Sequence, residues 1–379
     1  MSMAPAPPAP FVGPPTGFPW RSAVKVGLVR LGIPLPFHGE PFSMASGLRA
    51  PRRVALILGP DLVDLLFAVP MIRSFSKVFP SARLTLVGRP SFQPLVGRFP
   101  EVHDVLAYDP AHLRILSQDY HRLVSRLRHR PPDLCFYLDR VFRLPGASLG
   151  FLGGAALRVG PRTEESHPYF NVELRGGGAV SYAGERGVRL LRSLGFAELD
   201  EPLDWPISDR EARKAGLLVH FHKPSREEPL VGVDPGLGLF GQGPAPAALA
   251  AACRALAESH GARVVVLDEP EQGERRKAFL AASRGEPIGV DPVGMGERLA
   301  FLPRCDLVIA GNTSVFHVAR AKGVPAVGLF SPVDGREWEP PGGPGEQAIL
   351  RAGPAASHDP KAIAAAAREL LQSAASRTD

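Results

Sequence analysis

The chain has 379 residues, of which 45% are hydrophobic and 22% are charged, a balance typical of soluble globular proteins. That length exceeds one ordinary hydrophobic core, so we expect two domains. The net charge of +6 comes without a block of Lys and Arg interleaved with aromatic residues, which argues against a nucleic-acid partner and leaves an anionic small molecule or membrane surface.

The cysteine residues and the hydropathy of the chain indicate the cellular compartment of the protein. Cys135, Cys253 and Cys305 lie in apolar contexts without metal-binding spacing, as reduced core residues do. No run of 18 uninterrupted apolar residues occurs, and the N-terminus lacks the pattern of a signal peptide. We therefore predict a cytoplasmic protein without a transmembrane helix.

The first predicted region, residues 1–51, is rich in proline and predicted to be poorly ordered. Within it, Trp20–Gly32 is a short basic and apolar segment. Such a composition suits a helix lying on a membrane surface, and equally a peripheral helix of the fold. Peripheral contact with the inner face of the cytoplasmic membrane is one of the hypotheses that follow.

Residues 52–205 form the first predicted domain, in which apolar strands alternate with helices. This alternation is typical of a mostly parallel α/β sheet. The predicted strands lie at 53–58, 82–88, 102–108, 133–139 and 154–160, and the predicted helices at 61–79, 90–99, 112–129 and 182–195.

A polar stretch at 206–230 is predicted to be an inter-domain segment, and residues 231–379 form the second α/β domain. Its predicted strands lie at 229–236, 262–270 and 287–290, its helices at 247–259, 271–283, 295–303 and 362–375, and a Gly/Pro-rich loop at 235–246. A cleft between two such domains is a usual place for a ligand.

The segment from Cys305 to Phe330 predicts a strand, a turn, a helix and a second strand. Gly311 permits the turn, Asn312 or Thr313 is suited to cap the helix, and His317 follows about one turn later. A helix that begins at the carboxyl end of a parallel strand offers free N–H groups and the positive end of its dipole to a phosphate. The same pattern is also compatible with a simple helix cap and a buried, hydrogen-bonded histidine.

Several segments, taken in order, resemble glycosyltransferase family nine, the ADP-heptose:lipopolysaccharide heptosyltransferase family. They are 52–109, 133–162, 181–195, 230–238, 261–274 and 305–342, which together span most of residues 52–350. The resemblance implies a GT-B fold, in which two Rossmann-like domains enclose the active site in an inter-domain cleft.

The resemblance also implies a catalytic base. In the family an Asp follows Gly in the loop after the first strand, and the spacing to Pro70 places Asp64 there, with Val63 in the position of the glycine. Asp61 is the neighbouring competitor. Independently of the family, a carboxylate at a helix N-terminus is stabilised as the anion, so Asp64 is also compatible with a plain first-turn acid.

For the donor, the resemblance implies a diphosphate site on the amides of 313–315. The family's Asp-Thr-Gly-x-x-His motif reads here Asn312-Thr313-Ser314-Val315-Phe316-His317. The loop that begins at Pro235 and Gly236 lacks the family's Lys, so another cation such as Arg320 or Lys322 is expected to serve. Acids after the 262–267 strand, among them Asp268 and Glu271, are candidates to bind ribose hydroxyls.

The resulting hypothesis is an inverting glycosyltransferase that moves a heptose-like sugar from an ADP-linked donor to a lipid-linked saccharide of lipopolysaccharide core or a related glycolipid. No acidic motif suited to a metal is present, so metal independence and no cofactor are predicted. The alternatives are a catalytically degenerate GT-B binding module, suggested by Val63, Asn312 and the Lys-free loop, and a nucleotide-sugar epimerase or hydrolase using His220 or His222.

Overall fold

A computed structural model describes the fold over residues 48, 50–108, 113–115, 117–174, 182–196, 199, 203, 205–223, 225, 228–267, 273–283, 288–289, 294–342, 346–353 and 358–376. Most of the proline-rich segment 1–51, including Trp20–Gly32, therefore lies outside the described residues. No helix in the described part of the chain is long and apolar enough to cross a membrane.

The first half of the chain folds around a six-stranded parallel sheet with the order β3-β2-β1-β4-β5-β6. Its strands are β1 (Arg53–Ile57), β2 (Arg83–Gly88), β3 (Val102–Ala107), β4 (Leu134–Tyr137), β5 (Leu157–Pro161) and β6 (Val172–Leu174). The central strand β1 is buried along Val54–Ile57, as its unbroken apolar run predicts for a strand covered on both faces.

The second half repeats this topology in a second six-stranded parallel sheet with the order β12-β11-β10-β7-β8-β9. Its strands are β7 (Leu230–Asp234), β8 (Arg263–Val266), β9 (Ile288–Gly289), β10 (Leu307–Gly311), β11 (Ala326–Phe330) and β12 (Gln347–Arg351). Numbered within each half, both sheets follow the doubly wound order 3-2-1-4-5-6, which reverses direction between its first and fourth strands.

Helices cover the faces of the two sheets. In the first half they are α1 (Leu62–Val78), α2 (Gln93–Val96), α3 (Gln118–His129), α4 (Leu144–Leu152) and α5 (Arg186–Ser193). The later helices are α6 (Asp209–His222), α7 (Pro246–His260), α8 (Gly273–Ala282), α9 (Met295–Phe301), α10 (Ser314–Ala321) and α11 (Pro360–Ala375).

The inter-domain segment predicted at 206–230 contains helix α6, which the sequence reading missed. Ser208 is the N-cap of this helix, and the Glu211 carboxylate accepts from the Ser208 N–H. The spacing of these two residues in the sequence is that of a capping box. The helix is anchored to the first half because Arg98 donates twice to the Glu211 carboxylate, at 2.5 and 2.6 Å. The predicted domain limits at 205/206 and 230/231 stay a prediction.

The hydrophobic cores of the two halves are continuous where the sheets face each other. Phe67 of α1, Val315 and Phe316 of α10, and Trp338 belong to one buried cluster. The ring of Phe67 contacts those of Trp338 and His317 at centroid distances of 5.9 and 5.0 Å. The two halves thus meet through packed aromatic side chains next to the carboxyl ends of both sheets.

Candidate functional site

Four segments that follow strands meet where the two sheets face each other. Residues 58–64 follow β1 and 138–143 follow β4, while 235–242 follow β7 and 312–314 follow β10. These are the first and fourth strands of each sheet, the points where the strand order reverses. A ligand crevice forms at such a position because neighbouring loops diverge in opposite directions there.

Asp64 is one of the enclosed carboxylates of this region, and its side chain is 3% exposed. It lies in the first turn of α1, where its Oδ2 accepts from the Asp61 N–H at 3.0 Å and from Arg140 Nη1 at 2.8 Å. Asp61, the alternative candidate, precedes the helix and its side chain is 41% exposed. Burial therefore separates two acids that the sequence alone left open.

Burial raises the pKa of Asp64 to about 6, against a lowering by the nearby charge of Arg140 and a further raising by Asp139. The expectation that the helix N-terminus holds this carboxyl as a stable anion is therefore wrong in its net direction. Desolvation of the charged form outweighs both the Asp61 N–H and the guanidinium. A carboxyl with a pKa near 6 is suited to accept a proton at neutral pH.

Asp139, which follows β4, is a second buried carboxylate beside Asp64. Arg143 donates to both of its oxygens at 2.5 Å, and the Val141 N–H donates at 3.1 Å. Gly59 makes room for the pair, because a Cβ at this position would overlap the Asp64 carboxylate and stand 2.9 Å from Asp139 Oδ1. The turn after β1 therefore requires glycine for steric reasons.

A cavity opens beside Asp64 at the boundary between the two halves. Its lining combines apolar surface from Phe67, Leu138 and Trp338 with the guanidinium groups of Arg140 and Arg186. Arg186, at the start of α5, donates to the Asp139 carbonyl at 3.4 Å. An acid, two cations and an aromatic wall are groups that can contact a hydroxylated and charged molecule such as a sugar, but the cavity itself measures about 10 Å³, the space of about one water molecule.

A second pocket lies on the other side of the turn that carries Asp64. It is lined by Asp61, Leu62, Val63, Asp234, Gly236, Leu237, Gly238, Leu239, Thr313 and Ser314. Three of the predicted donor residues, Gly236, Thr313 and Ser314, are therefore brought together. Pro235 is their direct neighbour in the loop after β7, where the Gly236 N–H donates to Asp234 at 2.8 Å.

The N-terminus of α10 borders this second pocket. Thr313 is the N-cap, yet its hydroxyl caps nothing: Thr313 is 6% exposed, and its Oγ1 has no hydrogen-bond partner among the described residues. An unpaired buried hydroxyl is costly, so its place at a helix N-terminus beside an open pocket favours an anionic ligand there.

His317 is fully buried one turn into α10, and both ring nitrogens are paired. Its Nδ1 lies 2.8 Å from the Tyr182 hydroxyl of the first half, and its Nε2 lies 2.8 Å from Asn312 Oδ1. Burial lowers the pKa of His317 to about 3, so the ring is neutral. The histidine thus joins the two halves directly behind the pocket, while its predicted contact with a donor phosphate stays a prediction.

Asn312 occupies the position of the family's aspartate, and its neighbour explains why an amide fits. Its Nδ2 donates to Asp334 Oδ1 at 2.7 Å, and Asp334 is itself buried and accepts from the Ser331 N–H and hydroxyl. A carboxylate at 312 would face Asp334 at hydrogen-bond distance and repel it. The amide also fixes the direction of both hydrogen bonds: its nitrogen donates to Asp334, and its oxygen accepts from His317 Nε2.

Two arginines contact backbone carbonyls of the loop that lines the donor pocket. Arg275 of α8 donates from Nε to the Pro235 carbonyl at 2.7 Å and from Nη2 to the Pro244 carbonyl, so it spans the Gly/Pro-rich loop. Arg140 lies at the other end of the loop, where its Nη2 is 3.5 Å from the Leu239 carbonyl. By contrast, Arg320 donates to Val324, Glu346 and Gln347, away from the pocket lining.

The remaining predicted site residues are Asp268 and Glu271, and both lie outside the described residues. Within the described ranges, no group of three or more His, Cys, Asp or Glu side chains is arranged to hold a metal ion.

The sequence reading missed the contributions of Asp139, Arg140, Arg186 and Asp334. Asp139 and Arg140 directly follow a buried apolar strand, and Asp334 follows the next strand after the histidine motif. Polar residues at the carboxyl ends of parallel strands converge on one edge of the sheet. Their position directly after a buried strand was therefore the sequence signal that could have identified these residues. The role of Arg186, which comes from a distant helix, had no comparable local signal.

The two parallel α/β sheets and the cleft between them define a GT-B fold, and solved structures share it. A glycosyltransferase family 9 protein from Veillonella parvula matches with a TM-score of 0.70 at 17% identity, covering 87% of this chain and 99% of that one. The ADP-heptose lipopolysaccharide heptosyltransferase II of Escherichia coli matches with a TM-score of 0.64 at 19% identity, covering 86% and 98%.

Sequence comparison finds similarity to the same family. The model of glycosyltransferase family 9 (heptosyltransferase) matches residues 249–359. Lipopolysaccharide heptosyltransferase 2 of Salmonella typhimurium is 24% identical over 291 residues, which cover 73% of this chain and 82% of the relative. The resemblance to glycosyltransferase family 9 that the ordered segments predicted is confirmed by these matches.

Proposed function

We propose that this chain is an inverting heptosyltransferase that uses ADP-heptose as donor and extends the inner core of lipopolysaccharide or a related glycolipid. The names of its relatives supply the donor and the acceptor class. The observation that carries the proposal is the arrangement of two cavities around one turn: Asp64 faces the first, and the Thr313 hydroxyl borders the second.

In the proposed reaction the acceptor sugar approaches Asp64 from the side of the first cavity, which has to widen from about 10 Å³ to admit it. Asp64 takes the proton from the attacking hydroxyl, and a pKa near 6 keeps the carboxyl ionised at neutral pH while it remains basic enough to accept that proton. Arg186 and Trp338 would then contact the acceptor, since both line the same cavity.

The donor diphosphate would bind at the N-terminus of α10. The Thr313 hydroxyl and the first N–H groups of the helix then receive the negative charge that grows on the leaving ADP. Pro235 and Gly236 form the facing loop, and Arg275 holds that loop through two carbonyls. This arrangement needs no metal ion in the proposed mechanism.

A transfer assay tests the proposal. The protein is incubated with ADP-heptose and an inner-core lipopolysaccharide acceptor that lacks its next heptose, and we expect ADP release together with a product heavier by one heptose. ADP-heptose without acceptor is the control. ADP release that does not depend on the acceptor would indicate a hydrolase, and binding of ADP-heptose without any release would indicate a non-catalytic module.

The non-catalytic alternative is less favoured. Two of its arguments were Asn312 and the Lys-free loop. In the structure Asn312 pairs with a buried carboxylate, and an arginine spans that loop. A buried carboxyl whose pKa is shifted towards neutrality is moreover characteristic of functional sites.

Contact with a membrane surface is a further part of the proposal, since a glycolipid acceptor is presented there. The composition of Trp20–Gly32 and the net charge of +6 support it.

A further inference from the structure

Arg140 connects the candidate base with the loop beside the donor pocket. It directly follows the buried strand β4, and its side chain is 7% exposed. Its Nη1 donates to Asp64 Oδ2 at 2.8 Å, its Nη2 donates to Asp61, and the same Nη2 lies 3.5 Å from the Leu239 carbonyl in the second half. One guanidinium therefore spans two carboxylates and the boundary between the halves.

The loop around Leu239, at the second-half end of this connection, is itself held in place by hydrogen bonds. The Leu239 N–H donates to the Asn312 carbonyl at 2.9 Å, directly before the N-cap of α10. Gly238 allows the close approach, because a Cβ there would stand 2.9 Å from the Gln242 carbonyl and 3.1 Å from the Asn312 carbonyl. A chain of contacts thus runs from Asp64 through Arg140 and Leu239 to the donor pocket.

We propose that Arg140 is a positioning residue for the transfer reaction: it holds the Asp64 carboxylate in orientation and ties it to the loop at the donor pocket. This role rests on the proposed function of Asp64 as the base. The carboxylate could otherwise rotate within its cavity, because its other hydrogen bond comes from the Asp61 N–H. A fixed fork of donors is what a guanidinium supplies and an ammonium does not.

The position of Arg140 also affects the charge state of Asp64. The charged groups that face Asp64 are Asp61 at the N-cap of its helix, Asp139 and Arg140 after β4, and Arg186 on α5, with Tyr108 nearby. Arg140 is a cation in direct contact, whereas Asp61 and Asp139 are anions. Loss of the cation should raise the pKa of Asp64, and loss of the Asp61 charge should lower it.

The test uses two substitutions with opposite expected signs. Arg140→Gln removes the cation and keeps a polar side chain, and Asp61→Asn removes a competing anion while retaining a good helix N-cap. The carboxyl group of Asp64 is titrated directly by carbon-13 NMR of protein labelled at aspartate carboxyls, with its signal assigned by its loss in Asp64→Asn. The same variants are assayed for the pH dependence of kcat.

We expect the titration midpoint of Asp64 to rise by about one to two pH units in R140Q and to fall by a smaller amount in D61N. The acid limb of kcat should move in the same directions. In R140K the titration midpoint of Asp64 should return closer to its wild-type value than kcat does, because lysine restores the positive charge without the fixed fork of donors. Arg89→Gln is the matched control, because Arg89 donates to the Pro60 carbonyl at 3.2 Å in the same turn without a contact to Asp64.

An unchanged Asp64 midpoint in both R140Q and D61N would overturn the proposal, and so would equal kcat in R140Q and wild type above the acid limb. If R140Q does not fold, D61N still tests the charge effect through a lowered midpoint, and R140K still tests the positioning effect through a lowered kcat at a midpoint close to that of wild type. A shifted midpoint in a protein that transfers no heptose would refute the proposed function and leave the link between Arg140 and Asp64 intact.

Discussion

The two sides of the cleft are built from different chemistry. On the side of the first sheet, Asp64 and Asp139 are buried as acids and paired with Arg140 and Arg143. On the side of the second sheet, the Thr313 hydroxyl and helix amides face the pocket, and the neutral His317 lies behind them. One side therefore depends on protonation near neutral pH, while the other offers neutral donors that do not titrate in this range.

This difference matches the demands of the two halves of a group transfer. Proton removal needs a group whose pKa can be tuned, and burial among opposing charges provides the tuning. Binding a leaving diphosphate needs donors that are already oriented, and neutral donors fixed by the fold reorganise little when charge develops. Substitutions on the first side should therefore change kcat and its pH dependence. Substitutions on the second side should change the affinity for ADP.

The largest effect is expected on the rate when the candidate base loses its carboxylate. Asp64→Asn should lower kcat for heptose transfer by about 10²- to 10⁴-fold, because a positioned general base contributes rate enhancement of that order. The dissociation constant of ADP, measured by calorimetry, should stay within about twofold of wild type. Strong residual transfer would remove Asp64 from the role of the base.

The same substitution should make the fold more stable. The pKa of Asp64 is raised from 3.8 to about 6, so the native state holds its proton over a range in which the unfolded chain has lost it. The contribution of the carboxyl to stability is present below about pH 4 and is lost as the pH rises through about 6. At neutral pH the ionised carboxyl costs about 2 to 3 kcal/mol.

Urea denaturation measures this difference. We expect the free energy of unfolding of D64N to exceed that of wild type at pH 7.5 and to approach it at pH 4. A difference that does not change with pH would mean that the charge of Asp64 is not the cause.

On the second side, Thr313→Val should act on affinity alone. Valine keeps the shape of the side chain and removes a hydroxyl that has no partner among the described residues. The free energy of unfolding should change little, while the affinity for ADP should fall by about tenfold, the value of one hydrogen bond to a charged group. Thr85→Val in β2, outside the described lining of both cavities, is the control. Unchanged ADP affinity in T313V would place the diphosphate elsewhere.

The smallest effect concerns the bond between the halves. Tyr182→Phe removes the donor to His317 Nδ1 and should lower the free energy of unfolding by about 1 to 2 kcal/mol. Tyr120→Phe is matched to it, because it also loses a buried bond, to Ser148 at 2.5 Å within the first half. A severalfold loss of ADP affinity is expected in Y182F alone, and an equal loss in both variants would refute a specific link to the donor pocket.

The sequence predicted the parts of this fold that depend on local patterns. Alternating apolar runs and helices indicated the two parallel α/β sheets, and the ordered segments indicated the family; both are confirmed. Helix α6 was missed because the polar composition around it outweighed its capping box, and β12 was missed because its residues are only partly buried.

The site was harder to predict because its energetics depend on distant residues. A window around Asp64 shows an acid at a helix N-terminus, where the dipole favours the anion, and the opposite net shift follows from burial by both halves of the chain. Arg140 lies 76 positions away in the sequence, yet it donates directly to that carboxylate. Such a pair becomes visible once the two strands that precede it, β1 and β4, are known to be neighbours.

A crystal structure of the protein with ADP bound tests the central claim most directly. We predict that the diphosphate lies at the N-terminus of α10, with an oxygen within hydrogen-bond distance of Thr313 Oγ1 and with the Asp64 cavity open beside its terminal phosphate. A diphosphate bound away from residues 313 and 314, or one that fills the cavity beside Asp64, would contradict the assignment of the two cavities to donor and acceptor.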